Sequence, residues 1–276
     1  MIDLHLHTTA SDGLSTPDAL VREAAAAGLR TIAVTDHDTI AGVTATAAAA
    51  RHAGLAFVPG IEMTATVAGR DLHILGYYLD IDDEPLVTFL AARRDERRAR
   101  VVAIGERLRA IGAPVDLAPI LDVPAASGRA LGRPAIARAL VAAGFAADVA
   151  DAFDRYLAGG RPAFVTRPSV PPADVIARIH DAGGIASLAH PGKMHVDVLV
   201  PEFVGAGLDA IEVYHPDHTP DDTTRYLAMA RAHGLLVTGG SDYHGPGSGR
   251  TSGLGSVTLP AEAFAALETR ARAVRS

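Results

Sequence analysis

The sequence runs to 276 residues, with 49% hydrophobic and 21% charged side chains, a formal net charge of −7 and no cysteine. That length suits one barrel or sheet with an inserted lobe, and the missing thiols exclude disulfides, cysteine nucleophiles, iron–sulfur clusters and every cysteine-based zinc site. No apolar run reaches the roughly 18–20 residues of a membrane span, and the acidic total argues against stable binding of duplex nucleic acid by the whole surface.

In chain order, Met1-Ile2-Asp3-Leu4-His5-Leu6-His7 alternates like a strand and carries neither a basic leader nor a small-residue cleavage site, so a cytoplasmic location is expected. Apolar, β-branched stretches place strands at 2–6, 30–35, 55–61, 72–78, 185–189, 208–214 and 235–240, most of them followed by a helix-compatible stretch. Ser15-Thr16-Pro17 offers a cap and a proline for a helix through Ala27, closed by Gly28. Asp38-Thr39 is read as the start of the next helix, which runs to His52 and ends near Gly54. Such alternation predicts a mostly parallel sheet and a barrel-like α/β fold.

The strand signal lapses between 82 and 165, where helical patterns cover 84–111, 132–143 and 147–157. Residues 1–81 and 166–276 are therefore expected to form the barrel, and 82–165 a helical insertion. Residues 91–140 hold ten Arg against five acidic residues, so the insertion is basic on an acidic body. The arginines of its first helix, Arg93, Arg94, Arg97, Arg98, Arg100, Arg107 and Arg109, read as a solvated face.

Histidines and carboxylates fall at the strand ends. His5 and His7, two residues apart, point to one face of the first strand, and Asp12 follows in the loop. Thr35-Asp36-His37-Asp38 ends the second strand, Gly60-Ile61-Glu62 the third, and Asp71-Leu72-His73 opens the fourth. Ala189-His190, Tyr214-His215 and Ser241-Asp242-Tyr243-His244 end the fifth, sixth and seventh. In a barrel these ends converge on one mouth. A lone histidine is more often a satisfied core or surface residue, but so many ionisable groups at one mouth are costly to bury unless cations share them. Imidazole plus carboxylate without thiolate suits Zn²⁺, Mn²⁺ or Fe²⁺, with Glu62 or Asp242 able to bridge two ions. Asp38 reads as a helix cap and Asp36 as an acceptor for the His37 imidazole. Arg133, in Gly132-Arg133-Pro134, and Lys193, the only lysine, are the candidate anion-binding cations. Tyr77, Tyr78 and Tyr243 follow strand ends and read as packing residues rather than base-stacking ones.

His5-Leu6-His7, Thr35-Asp36-His37, Gly60-Ile61-Glu62, Ala189-His190-Pro191 and Ser241-Asp242-Tyr243-His244, in this order and spacing over nearly the whole chain, resemble the motifs of the polymerase and histidinol phosphatase (PHP) domain family. The resemblance implies a distorted (β/α)7 TIM-like barrel that holds two or three divalent ions and hydrolyses phosphoesters. It implies one ion on His5, His7, Glu62 and Asp242, a second on Glu62, His73 and His190, and a third on Asp12, His37 and His244. Some family members have histidine where this chain has Asp12, and a carboxylate there favours Mn²⁺ or Mg²⁺ over zinc. Gly132-Arg133-Pro134 and Tyr214-His215-Pro216 are similar to the smaller bacterial branch. That branch contains phosphatases of 3′,5′-nucleoside bisphosphates and exonucleases that trim short RNA from the 5′ end.

The expected activity is therefore a metal-dependent phosphoesterase acting on a small nucleotide or short oligonucleotide. Mn²⁺ is the favoured ion, and Asp12, His37 and His215 are candidates for the general acid or for orienting water. Two alternatives rank lower. A histidinol-phosphate phosphatase fits the basic insertion less well, and a non-catalytic PHP module fits the apparently complete ligand set less well.

Overall fold

The computed structural model describes residues 1–248 and 252–275. The chain opens on β1 (Ile2–Asp3), shorter than the alternation suggests. Beyond it the backbone still pairs: Leu6 bridges Tyr243, whose carbonyl accepts the His7 amide at 2.9 Å. Helix α1 (Pro17–Ala26) starts where Thr16 Oγ1 accepts the Ala19 amide, and Gly28, at φ +78°, turns the chain out of it. Strand β2 (Thr31–Val34) is buried at every position.

The next helix, α2 (Val43–Ala53), begins later than expected, at a Gly42 cap. Asp38 is not a helix cap. Its backbone is left-handed at φ +50°, and its buried carboxylate accepts the Thr64 amide (2.7 Å), the Thr64 hydroxyl (3.0 Å) and the Arg97 Nε–H (2.7 Å). A side chain committed inward in this way has no oxygen left for a helix start.

Strands β3 (Ala56–Val67) and β4 (Arg70–Tyr77) form a hairpin. Only Ala68 (φ +48°) and Gly69 (φ +75°) join them, the positive-φ pair of a two-residue turn that suits the strand twist. This departs from strand-then-helix repetition and reverses β4, so the beginning of β4, not its end, reaches the mouth. Asp71 and His73 arrive there for that reason.

Helix α3 (Glu84–Ala110) follows, capped by Asp83, then the short α4 (Ala118–Leu121), α5 (Arg133–Ala142) and α6 (Val149–Ala152), which runs into a π turn at Phe153–Leu157. These helices share an apolar cluster of their own, with Val101, Ile104, Leu108, Ile136 and Leu140 at its centre. Arg93, Arg97 and Arg100 lie one helical turn apart on one face of α3 and point inward, not to solvent as expected; Arg98, Arg107 and Arg109 are exposed. Arg97 also donates to the Leu131 carbonyl and Arg100 to that of Val165, so this stripe ties the helices to each other and to the barrel.

The chain then returns through α7 (Pro172–Asp181), β5 (Ile185–Leu188), α8 (Pro191–Met194), α9 (Val200–Gly205), β6 (Ala210–Tyr214), α10 (Pro220–His233), β7 (Leu236–Gly239) and α11 (Ala261–Arg275). The seven strands lie in sequence order, with β4 antiparallel to both neighbours and every other pair parallel. The Leu4 amide donates to the Gly239 carbonyl at 3.2 Å and nearly closes the barrel. Leu4, Ala33, Val58, Leu75, Tyr77 and Ile185 belong to one buried cluster, to which α11 adds Leu267 and Ala271. Among the described residues no helix is long and apolar enough to cross a membrane.

Candidate metal centre

Glu62, on β3 and 1% exposed, is the hub of the mouth. Its Oε2 lies 3.4 Å from His5 Nε2, 3.3 Å from His7 Nε2 and 3.0 Å from His37 Nδ1. Its Oε1 lies 2.8 Å from His73 Nδ1 and 3.0 Å from His190 Nε2. Asp242 Oδ1 stands 3.4 Å from His5 Nε2 and 3.2 Å from His7 Nε2, and its Oδ2 is 3.4 Å from His215 Nε2. Asp12 faces His244 Nε2 at 3.2 Å and His37 Nε2 at 3.8 Å, so the His37 ring joins Asp12 to Glu62. The nine residues expected to ligate metal thus lie in one contiguous network.

The backbone is strained to achieve this. His190 (φ +30°) and Asp242 (φ +50°) adopt left-handed conformations that cost non-glycine residues about 1–3 kcal/mol each. Gly240 lets the strand before Asp242 press against His5, since a Cβ there would lie 2.4 Å from the His5 nitrogen.

These residues fit divalent cations. Four donors held about 2.0–2.2 Å from one ion at tetrahedral corners stand about 3.3–3.6 Å apart, close to the spacings among His5, His7, Glu62 and Asp242. Those contacts lack hydrogen-bond alignment: His5 Nε2, both His7 nitrogens, His37 Nδ1 and Glu62 Oε2 are buried with no hydrogen-bond partner. Ligand atoms also gather within one ion's reach in the sets His7, Asp12, His37, His244 and His37, Glu62, His73.

Electrostatics point the same way. Burial raises the Glu62 carboxyl, but His37, His73 and His5 outweigh it and hold it well below the usual carboxylate range. Asp12 is likewise raised by burial yet held low by His244 and His37. Burial lowers His7, and Asp242 and Glu62 overcome that to bring it up to about 9. Without ions, protons on such imidazoles balance the carboxylates. A cation must displace them, so its binding releases protons and weakens as pH falls.

Sequence reading missed Glu212. It is buried in β6, where its Oε1 pairs with His5 Nδ1 at 2.9 Å and its Oε2 accepts the His190 amide at 2.8 Å. The only signal was a single acid inside the apolar run Ala210-Ile211-Glu212-Val213-Tyr214. By fixing the His5 ring and the strained His190 backbone together, Glu212 aims two imidazoles at Glu62. Glu212→Gln is expected to weaken metal binding about 10–100-fold, measured by titrating metal into chelator-treated protein; unchanged affinity contradicts the role.

Asp36 does not hold the His37 ring as expected. It accepts the Thr8 amide (2.8 Å), the Thr8 hydroxyl (2.6 Å) and the Ser11 hydroxyl (2.5 Å), and so fixes the loop that carries Asp12.

The cationic candidates lie farther out. Arg133 pairs with Asp71 at 3.2 Å, donates to the Leu157 carbonyl and lies over the Phe153 and Phe164 rings. It belongs to a group with Arg97, Arg100 and Arg167, whose nearby acids are Asp38 and Asp71. Burial and mutual repulsion lower Arg100 to about 9 and Arg167 to about 10. Asp71 shares a strand face with His73, two residues on, so this group borders the Glu62 cluster. Lys193 is exposed, 3.5 Å from Asp217. Tyr77 donates to the Leu4 carbonyl inside the barrel and Tyr243 to Glu23, as packing residues do.

The sequence profile of the PHP domain matches residues 3–104. The chain is 38% identical over 251 residues to the 5′-3′ exoribonuclease Rnm of Salmonella typhimurium, covering 88% of this chain and 85% of that one. It is 34% identical over 256 residues to the 3′,5′-nucleoside bisphosphate phosphatase of Chromobacterium violaceum, covering 90% and 88%. A crystal structure from Bifidobacterium adolescentis, provisionally named a metal-dependent phosphoesterase, superposes with a TM-score of 0.87 at 34% identity over 98% of this chain and 96% of that one.

Proposed function

We propose that this chain, which belongs to the PHP domain family, is a metal-dependent phosphoesterase that removes the 3′-phosphate from 3′,5′-nucleoside bisphosphates and shortens 5′-phosphorylated oligoribonucleotides. The observation that carries this reading is Glu62, a buried carboxylate with an oxygen turned to each of two imidazole groups. In this reading His5, His7, Glu62 and Asp242 hold one ion, Glu62, His73 and His190 a second, and Asp12, His37 and His244 a third. The hard Asp12 oxygens favour Mn²⁺. Divalent cations held there would offset the negative charge of the phosphoryl oxygens and would lower the pKa of water enough to make it a nucleophile near neutral pH.

The chain's own groups do the rest. His215 Nδ1 accepts the Asp217 amide at 3.1 Å, so in the neutral ring the proton sits on Nε2, which faces Asp242 across the rim. That Nε2–H can donate a hydrogen bond to the departing oxygen, and Asp12 and His37 are placed to orient water at the same rim. The arginine group beside Asp71, Arg133 included, offers charge-assisted donors to the phosphate that stays on the substrate. Lys193, exposed and partly neutralised by Asp217, offers an anion at the rim less net charge. The helical segment 82–165 serves as the lobe that closes over the nucleotide and dries the site.

Assay of the Mn²⁺-loaded protein on the adenosine 3′,5′-bisphosphate pAp, AMP, histidinol phosphate, p-nitrophenyl phosphate and a 5′-phosphorylated dinucleotide tests the reading. Turnover of pAp and the dinucleotide well above the three monophosphates is expected; equal turnover of pAp and p-nitrophenyl phosphate overturns the second-phosphate anchor. Arg133→Ala is expected to raise KM for pAp about tenfold or more, the worth of a charge-assisted hydrogen bond, while changing p-nitrophenyl phosphate little. Equal effects on both substrates exclude the anchor.

A further inference from the structure

We propose that Arg129 and Arg138 form a second anion subsite beside Asp12, on the flank of the metal centre away from Asp71, which takes a backbone phosphate of a single-stranded oligonucleotide. The proposal rests on the phosphoesterase reading and deepens it: the site is built for a strand with phosphates on both sides of the one being cleaved.

Two elements bring these arginines to the mouth. The segment before α5 is fastened to the metal-centre loops, because the Ala130 amide donates to the Ala10 carbonyl (2.8 Å) and the Thr39 hydroxyl to the Gly128 carbonyl (2.6 Å). Gly128, at φ +68°, permits that approach, since a Cβ there would sit 2.9 Å from the Ala41 Cβ. Arg129 is thus held against the loop that carries Asp12. Arg138 stands on α5, five residues beyond Arg133, a rise of about 7.5 Å and a turn of about 140°. One helix therefore carries one arginine toward Asp71 and another toward Asp12.

The charges around this pair are unbalanced. Among the described residues no carboxylate lies within ion-pair distance of either guanidinium, and the buried Arg129 Nε has no hydrogen-bond partner. The acid whose field Arg138 feels is Asp12, already engaged with His244 and His37, while Arg129 repels it. Three arginines remote from the mouth are matched instead: Arg155 pairs with Asp151, Arg225 with Asp197 and Asp222, and Arg270 with Asp209. Two half-buried cations without a counter-charge are costly unless a ligand supplies one. A 3′,5′-bisphosphate has two phosphates, enough for the metal centre and the Asp71 flank only. A third phosphate, on the Asp12 flank, requires a longer strand.

The test compares the wild-type chain with the Arg129→Ala/Arg138→Ala double variant, binding a 5′-phosphorylated adenosine trinucleotide or pAp over a range of salt concentrations. Chelator-treated protein is used, so the result does not depend on turnover. The double variant is expected to bind the trinucleotide about tenfold more weakly, with the slope of log affinity against log salt shallower by about 0.7 for the one phosphate no longer neutralised. The loss on pAp is expected to be several-fold smaller. In the Mn²⁺-loaded protein the kcat/KM ratio of trinucleotide to pAp is expected to fall in parallel. An unchanged salt slope, or equal losses on the two ligands, overturns the subsite. Arg138→Lys should keep the wild-type slope, and a lysine variant as weak as the alanine one also counts against it. If the loaded wild-type protein hydrolyses neither ligand, the phosphoesterase reading fails, and the metal-free salt slopes still decide the subsite.

Discussion

Replacing Glu62 by glutamine is expected to lower turnover of pAp by more than about a hundredfold and to leave the protein short of bound metal. The amide keeps the size of the side chain but removes its charge and turns one acceptor into a donor. Both oxygens are in use: Oε2 faces His5, His7 and His37, and Oε1 faces His73 and His190. Whichever way the amide is turned, its NH₂ group faces imidazole nitrogens that a cation needs as lone-pair donors, so two of the proposed ion sites are damaged together. A peripheral ligand would weaken one site and leave the other filled. Elemental analysis of metal per chain, alongside kcat, checks the expectation; full metal content with normal turnover would remove Glu62 from the centre. The pH dependence should change too. In the wild-type protein metal binding displaces protons from imidazoles such as His7, which Asp242 and Glu62 hold up to about 9 despite burial. Affinity should therefore rise with pH toward that value, and less steeply once Glu62 no longer supports the His7 proton.

The strand pattern was legible because apolar, β-branched runs recur with the spacing of a barrel, and the rim residues stood out as polar groups ending those runs. The reversal of β4 was not. Its turn depends on positive φ at both Ala68 and Gly69, and alanine gives no hint of that conformation. Only the placement of His73 at the start of a strand rather than at its end carried the information. Glu212 escaped notice because a lone acid in a strand reads the same whether it faces solvent or a histidine 207 residues away. The inward stripe of α3 was hidden for a related reason. Arg93, Arg97 and Arg100 occupy the face where a packed helix would show apolar residues, so the charge mimics a solvated surface. The partners of Arg97 and Arg100, Asp38 and the Leu131 and Val165 carbonyls, lie at least 30 residues off and can be matched only in three dimensions.

That buried contact makes the second large expectation. Asp38→Ala is expected to destabilise the protein by about 3–5 kcal/mol, the usual cost of removing one partner of a buried ion pair. Asp38 is 2% exposed and lies between Arg97, with Nε at 2.7 Å, and Arg167, at 3.8 Å. Removing it leaves two guanidinia facing each other and frees the Thr64 amide. Acid should do less harm than truncation. Burial raises the Asp38 carboxyl, yet Arg97 and Arg167 bring it down to about 2 from an ordinary 3.8, so its contribution is complete above about 3.8 and is lost as pH falls through 2. A depression of that size corresponds to roughly 2–3 kcal/mol, below the truncation cost because a protonated carboxyl still accepts hydrogen bonds. Denaturant unfolding of the wild-type protein and the variant at neutral pH and near pH 2 reads both values, because only the difference between the two proteins isolates Asp38 from other carboxylates that titrate in acid. Because α3 spans from Asp38 to the separate apolar cluster of its own helices, hydrogen exchange should show the amides of α3 and α5 opening first in the variant. A loss below about 1 kcal/mol, within the range of exposed ion pairs, would mean that Arg97 does not tie this lobe to the barrel.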